Sequence, residues 1–180
     1  MIEDGIINKE KWERSTLKVL FLLKEAYGEV GKKHSLIKFY TEETNWWGHT
    51  GKGCKCYMDA LGIENGSVAL VDIIKESGEG TDEHRRTSDS ELVDAFNKNR
   101  ILDQIIEINP DVIICGGTYW VLKKYYPNIF PKLEKGTHYR IKEGELTGII
   151  IADCYHPSYG STEGKINVAK NILKSIETKQ

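Results

Sequence analysis

Apolar residues along the chain fall into short runs at residues 18–24, 67–74, 111–115 and 147–153. Their centres are Val19-Leu20-Phe21-Leu22-Leu23, Val68-Ala69-Leu70-Val71, Val112-Ile113-Ile114-Cys115 and Ile149-Ile150-Ile151-Ala152. Such runs, rich in branched side chains and bounded by charge or glycine, suit strands buried on both faces, as in a parallel sheet. Helical spacing appears between and around them. Residues 8–16 read as a short helix with Asn8 as N-cap and Glu10 in the first turn. Residues 55–61 read as another, closed by Gly62. Ser88-Asp89-Ser90-Glu91 fits a capping box, and Leu92, Ala95, Phe96, Leu102, Ile105 and Ile106 follow at helical spacing. That helix is expected to stop at Asn109, because Pro110 disfavours helical geometry in the residue before it. Residues 119–125 look helical, residues 138–142 form a small strand, and residues 162–176 close the chain as an amphipathic helix. Strands alternating with helices predict an α/β protein: one domain over residues 1–180, a three-layer α/β/α sandwich around a mainly parallel four-stranded sheet.

Charge narrows the possible partners. The net charge of −2 gives no global attraction to nucleic acid, so any such binding needs local basic spots. His84-Arg85-Arg86 is the one concentrated spot, and either contacts phosphate or is solvated surface. No apolar run approaches the length of a membrane span, and the N-terminus lacks a signal-peptide layout, so no membrane association and a cytoplasmic location are expected. Cys115 and Cys154 sit in or beside apolar runs, as small core residues do. Cys54-Lys55-Cys56 is too tight for a standard zinc knuckle and has no second pair, which favours free thiols over a metal or cluster. No metal and no cofactor are expected.

Candidate chemistry lies where apolar runs end, since open α/β sheets bind ligands at the carboxyl edge of their strands. The fourth run ends in His156-Pro157-Ser158, and Pro157 biases His156 to extended geometry on a stiff loop. Asp72 interrupts the second run; it either reads a ligand or ends a solvated strand, and buried it must find donors or shift its pKa. Residues 29–53 read as a loop carrying Phe39, Tyr40, Trp46 and Trp47, which either pack the loop down or offer faces for a nucleobase. Gly116-Gly117-Thr118, between the third run and a helix, can present backbone N–H groups to an anion. No Walker, GxGxxG or GxSxG motif is present.

In order, VLFLLKEAYG (19–28), ALVDIIK (69–75), QIIEINPDVIICGGT (104–118) and CYHPS (154–158) resemble the motif series of the uracil-DNA glycosylase superfamily. The resemblance implies a DNA glycosylase-like N-glycosidase, a hydrolase excising a deaminated or damaged base of uracil or hypoxanthine type in base-excision repair. The alternative is a catalytically silent member binding nucleic acid or a nucleotide in the same cleft. By this resemblance His156 stabilises the departing base and Glu25 belongs to the first active-site loop, with Tyr27 and Gly28 contacting substrate. Asp72 stands where the family places a base-reading Asn, Phe39 or Tyr40 near the stacking aromatic, and Ser158 beside His156. Arg85, Arg86, Gly117 and Thr118 would meet the nucleic-acid backbone. Ala26 stands where the best-known branch has a water-activating Asp. The partner implied is damaged or single-stranded DNA, bound by a monomer. An ionised Asp72 would only accept hydrogen bonds and so prefer a base edge rich in N–H donors.

Overall fold

The computed structural model describes residues 2–28, 34–79 and 88–178. The chain begins with β1 (Ile2–Glu3), β2 (Gly5–Ile6), α1 (Lys9–Arg14), β3 (Val19–Gly28), β4 (His34–Ser35) and α2 (Leu36–Thr41). A 3-10 turn (Glu43–Trp47) leads to α3 (His49–Leu61), β5 (Val68–Glu79), α4 (Asp89–Lys98) and α5 (Ile101–Ile108). It ends with β6 (Val112–Gly116), α6 (Tyr119–Tyr125), β7 (Thr137–Arg140), β8 (Ile150–Cys154) and α7 (Thr162–Glu177).

The apolar runs form β3, β5, β6 and β8. β3 pairs in parallel with β5 on one side and β6 on the other, and β6 pairs in parallel with β8. The sheet is nevertheless six-stranded and mixed, in the order β2-β5-β3-β6-β8-β7, not four-stranded as expected. β2 and β7 add to its edges antiparallel. β7 is the small strand expected at residues 138–142, whereas β2, with two residues, is too short to carry a periodic signal. They form because their backbones meet the open edges of β5 and β8, which would otherwise stay unpaired.

Side chains alternate across the sheet. Val19, Phe21 and Leu23 of β3 face a core shared with Tyr57, Met58 and Leu61 of α3 and Val168, Ala169 and Ile172 of α7. Leu20 and Leu22 face the opposite core, with Leu92 and Phe96 of α4, Ile101 and Ile105 of α5 and Leu122 of α6. Helices therefore cover both faces. Burial of each Leu, Ile or Phe contributes about 1.5–3 kcal/mol.

Local signals set several boundaries. The Asn8 side chain accepts from the Lys11 N–H at 3.0 Å, and Ser88 and Glu91 form the capping box. Asn109 ends α5 in left-handed geometry (φ 50°) before Pro110. Two expectations fail. The single helix of residues 88–109 is broken at Arg100 (φ 51°), while the Asn99 side chain donates to the Ile73 carbonyl of β5 at 2.8 Å. The stretch 29–53, expected as loop, contains α2, the 3-10 turn and the start of α3. Its glycines suggest a loop, yet Gly51 and Gly53 lie inside α3 because the chain packs there backbone to backbone. A Cβ on Gly51 would sit 2.7 Å from the Trp46 Cα, and one on Gly53 would overlap the Pro157 carbonyl.

Candidate functional site

The loop after β8 is held from below. Gly53 presses its bare backbone on Pro157, and a Cβ at Gly116 would stand 2.7 Å from Leu23 and 3.0 Å from Pro157. Lys165, buried on α7, donates to the Gly160 carbonyl at 3.0 Å and ties down the far end of the loop. His156 therefore sits on a fixed platform. Its Nδ1 lies 2.6 Å from the Ser158 hydroxyl and receives the Ser158 backbone N–H at 3.3 Å. A backbone N–H can only donate, so Nδ1 carries the lone pair and the ring proton is on Nε2. Burial, helped by the charge of Lys24, lowers the His156 pKa to about 4. At neutral pH the ring is thus an uncharged imidazole with one N–H donor.

Asp72 lies on β5 opposite Leu23 of β3, and Glu25 lies opposite Ile74, just before a bulge in β3. Asp72 is 1% exposed, and neither carboxyl oxygen has a hydrogen-bond partner. The cation nearby is taken: Lys75 bonds both oxygens of Asp4, at 2.7 and 2.6 Å, and the Gln104 amide at 2.8 Å. Asp4 also accepts the Asp72 backbone N–H at 2.7 Å and the Gln104 side-chain N–H at 2.8 Å. Burial first, then the charge of Asp4 and more weakly that of Glu25, outweigh Lys75 and raise the Asp72 pKa to about 8. Of the two outcomes open to a buried Asp72, finding donors or shifting its pKa, the second holds: it has no donor among the described residues, and burial favours the neutral carboxylic acid.

β3 is the element between these groups. Its Leu23 faces Asp72 across the ladder and lies against Gly116, whose other neighbours are Pro157 and the His156 backbone. Lys24 acts on His156 and Glu25 on Asp72. His156, Glu25 and Asp72 all lie at the carboxyl end of the parallel strands. β5 and β8 are three strand spacings apart in the sheet order, roughly 14 Å at about 4.8 Å each. Among the described residues no hydrogen bond joins His156 to either carboxyl group.

Other expected site residues are placed differently. Thr118 is fully buried and donates to the Leu22 carbonyl at 2.7 Å, so it ties β3 to the turn after β6 and cannot meet phosphate. The Gly117 N–H is likewise committed, to the Cys154 and Cys115 carbonyls. Ser158 orients His156. Tyr40 is buried against Trp46, with ring centroids 4.6 Å apart, and the Trp46 indole donates to the Tyr40 carbonyl at 2.8 Å; both pack the segment down and leave no free stacking face. Phe39 (49% exposed) and Trp47 (65%) remain open. Trp47 lines a groove of about 450 Å³ between α3 and α7 with Trp46, Lys52 and Lys170, and His156, Glu25 and Asp72 do not line it. The Tyr27 and Gly28 backbones continue β3 beside β5, while the Tyr27 side chain, Arg85 and Arg86 lie outside the described residues.

Sequence reasoning missed Asp4, Lys75, Gln104 and Lys24. Lys75, three positions after Asp72, was the only one of the Asp4 network with a signal nearby; Asp4 and Gln104 reach Asp72 from 68 and 32 positions away. Cys54, Cys115 and Cys154 are buried and Cys56 is half-buried, all as free thiols. Burial pushes the Cys154 thiol up to about 11. Among the described residues no group of three or more His, Cys, Asp or Glu side chains could hold a metal ion, and no helix is long and apolar enough to cross a membrane. Comparison of the chain with protein-family models and with curated proteins finds no match to either.

Proposed function

We propose that the chain is a uracil-DNA glycosylase-like N-glycosidase that acts as a monomer on damaged or single-stranded DNA and releases a base of uracil or hypoxanthine type. The observation that carries this reading is the neutral His156, with Nδ1 occupied by Ser158 and Nε2–H left to donate at the carboxyl edge of the sheet. When the C–N glycosidic bond breaks, its electron pair leaves with the base and collects on the base's carbonyl oxygens. A fixed N–H aimed at such an oxygen stabilises charge that appears only in the transition state. Water adds its oxygen to the sugar carbon; its proton passes to Glu25, the carboxylate near the end of β3, or to solvent. The target base must first leave the stack, and Asp72 supplies a buried polar group for its edge. The four motifs fall on β3, β5, the α5–β6 stretch and the loop after β8, whose ends share one edge of the sheet, and that placement supports the reading.

A second reading, a silent member that binds without cleaving, is favoured by Ala26, which cannot activate water. Oligonucleotides each carrying one uracil, hypoxanthine, xanthine or alkylated base separate the two. An N-glycosidase leaves abasic sites in at least one, and His156→Ala slows that step by about 100- to 1,000-fold with little change in binding. Retarded mobility with no abasic site in any oligonucleotide overturns the catalytic reading.

A further inference from the structure

Trp47 stays open to solvent while its neighbour Trp46 is buried. The turn that carries it is not loose. The Trp46 indole donates to the Tyr40 carbonyl at 2.8 Å, the Asn45 amide donates to the Phe39 carbonyl at 2.6 Å, and a Cβ on Gly51 would stand 2.7 Å from the Trp46 Cα. The turn is pinned to the body of the protein, so the Trp47 indole meets water at a fixed place. It opens on the groove of about 450 Å³ between α3 and α7, large enough for a ligand or a short peptide. Trp46, Ala60 and Ile166 give this groove an apolar lining. Its charged residues are Lys52, Lys55 and Asp59 on α3 and Lys170 on α7. Lys55 bonds both oxygens of Asp59, at 2.8 and 3.0 Å, and the charges of that pair cancel. Lys52 and Lys170 have no hydrogen bond or ion pair among the described residues, which leaves an uncompensated cation on each wall.

An apolar trough with a fixed tryptophan and a free cation on each wall complements an occupant that is apolar on one side and negative on the other. We propose that the groove docks a short acidic segment of a partner protein, with an apolar side chain seated against Trp47 and Ile166 and carboxylates meeting Lys52 and Lys170. Tryptophan is among the residues enriched where the energy of protein recognition concentrates, and lysines at a rim select charge. From Thr162 to Lys170, α7 rises about 12 Å at ~1.5 Å per residue. That length seats about four extended residues or two turns of helix. Other occupants fit less well. A nucleic-acid strand gains from aromatic faces, but the Trp46 ring is spent on Tyr40, and Ala60 and Ile166 offer no face. A second copy related by a two-fold axis would set this positive surface against itself. His156, Glu25 and Asp72 do not line the groove, so the inference stands apart from the N-glycosidase reading and concerns how the protein is recruited.

The test uses the whole chain with a fluorescein-labelled peptide, DEFLED, and its uncharged match, NQFLQN. DEFLED raises the anisotropy on binding and loses affinity as salt is added, and NQFLQN binds more weakly. Trp47→Ala weakens DEFLED binding by about 30-fold, the loss expected of an anchor residue. Lys52→Glu combined with Lys170→Glu reverses the preference, losing DEFLED and gaining the basic peptide KRFLKR. Cys56 lines the groove with its thiol half-buried, so bound DEFLED slows its alkylation by iodoacetamide in proportion to the fraction bound. Failure of DEFLED to bind, equal binding of DEFLED and NQFLQN, binding untouched by Trp47→Ala or by the charge reversal, or unslowed alkylation of Cys56 each overturns the inference. Protection of Cys56 by a thymidine octanucleotide in preference to DEFLED overturns it in favour of a nucleic-acid path. A dimer in sedimentation that Trp47→Ala returns to monomer overturns it in favour of a second copy. Base release from DNA is scored separately and bears on the N-glycosidase reading alone.

Discussion

Asp72→Asn should make the protein more stable above neutral pH and flatten part of its stability profile. The native state holds a proton on Asp72 up to about pH 8, whereas an unfolded Asp releases it near about 3.9. Between those values the native state binds about one proton more than the unfolded state, so unfolding free energy falls as pH rises, by about 1.4 kcal/mol per pH unit. The contribution is intact below about pH 4 and lost as pH passes about 8. Over that window the fall is about 6 kcal/mol at most, a large share of the ~5–15 kcal/mol that holds a domain folded. Asn has the same shape and no proton to lose. Urea unfolding followed by tryptophan fluorescence is the assay, because Trp12 and Trp46 are buried and report loss of the fold. The quantity to compare is the difference between the two proteins at pH 5, 6, 7, 8 and 9, since other groups titrate alike in both. The variant should gain steadily on the wild type from pH 5 to 8 and level off above. Two profiles that run parallel across this range refute a protonated Asp72.

Gly53→Ala should destabilise the protein by about 1–3 kcal/mol or more, because the new methyl would overlap the Pro157 backbone; an unchanged urea midpoint would show that the loop after β8 is not clamped by α3. Ser158→Ala removes the hydroxyl bonded to Nδ1 and should redistribute the ring proton of His156, read by nitrogen-15 NMR of the imidazole, and slow base release about fivefold, the equivalent of about 1 kcal/mol for one hydrogen bond. Cys56 should react first with a thiol reagent, and Cys54, Cys115 and Cys154 only on unfolding; fast labelling of all four would contradict the buried positions. Arg85→Ala combined with Arg86→Ala should weaken DNA binding equally for all sequences and reduce the salt slope by about 2, roughly 0.9 for each phosphate no longer neutralised.

Local pattern made much of this protein legible before folding. The apolar runs of β3, β5, β6 and β8, the capping box at Ser88, the Asn8 cap and the stop at Pro110 all depend on residues within a few positions of one another. His156 on a stiff loop after a buried strand was readable for the same reason. Tertiary structure decided the rest. The edge strand β2 exists because β5 offers open backbone, and β7, a small strand in the sequence reading, joins the sheet antiparallel on the open side of β8. Gly51 and Gly53, which punctuate a loop when read along the chain, lie in a helix because Trp46 and Pro157 come too close for a side chain. Thr118 serves β3, not an anion. The protonation of Asp72 depends on Asp4 claiming Lys75 and Gln104, and the tautomer of His156 on the fold of the loop that brings Ser158 to Nδ1. Periodicity and caps are written in neighbouring residues, whereas desolvation and Coulomb interactions are set by whatever the fold brings within a few ångströms, and those neighbours have no local signature.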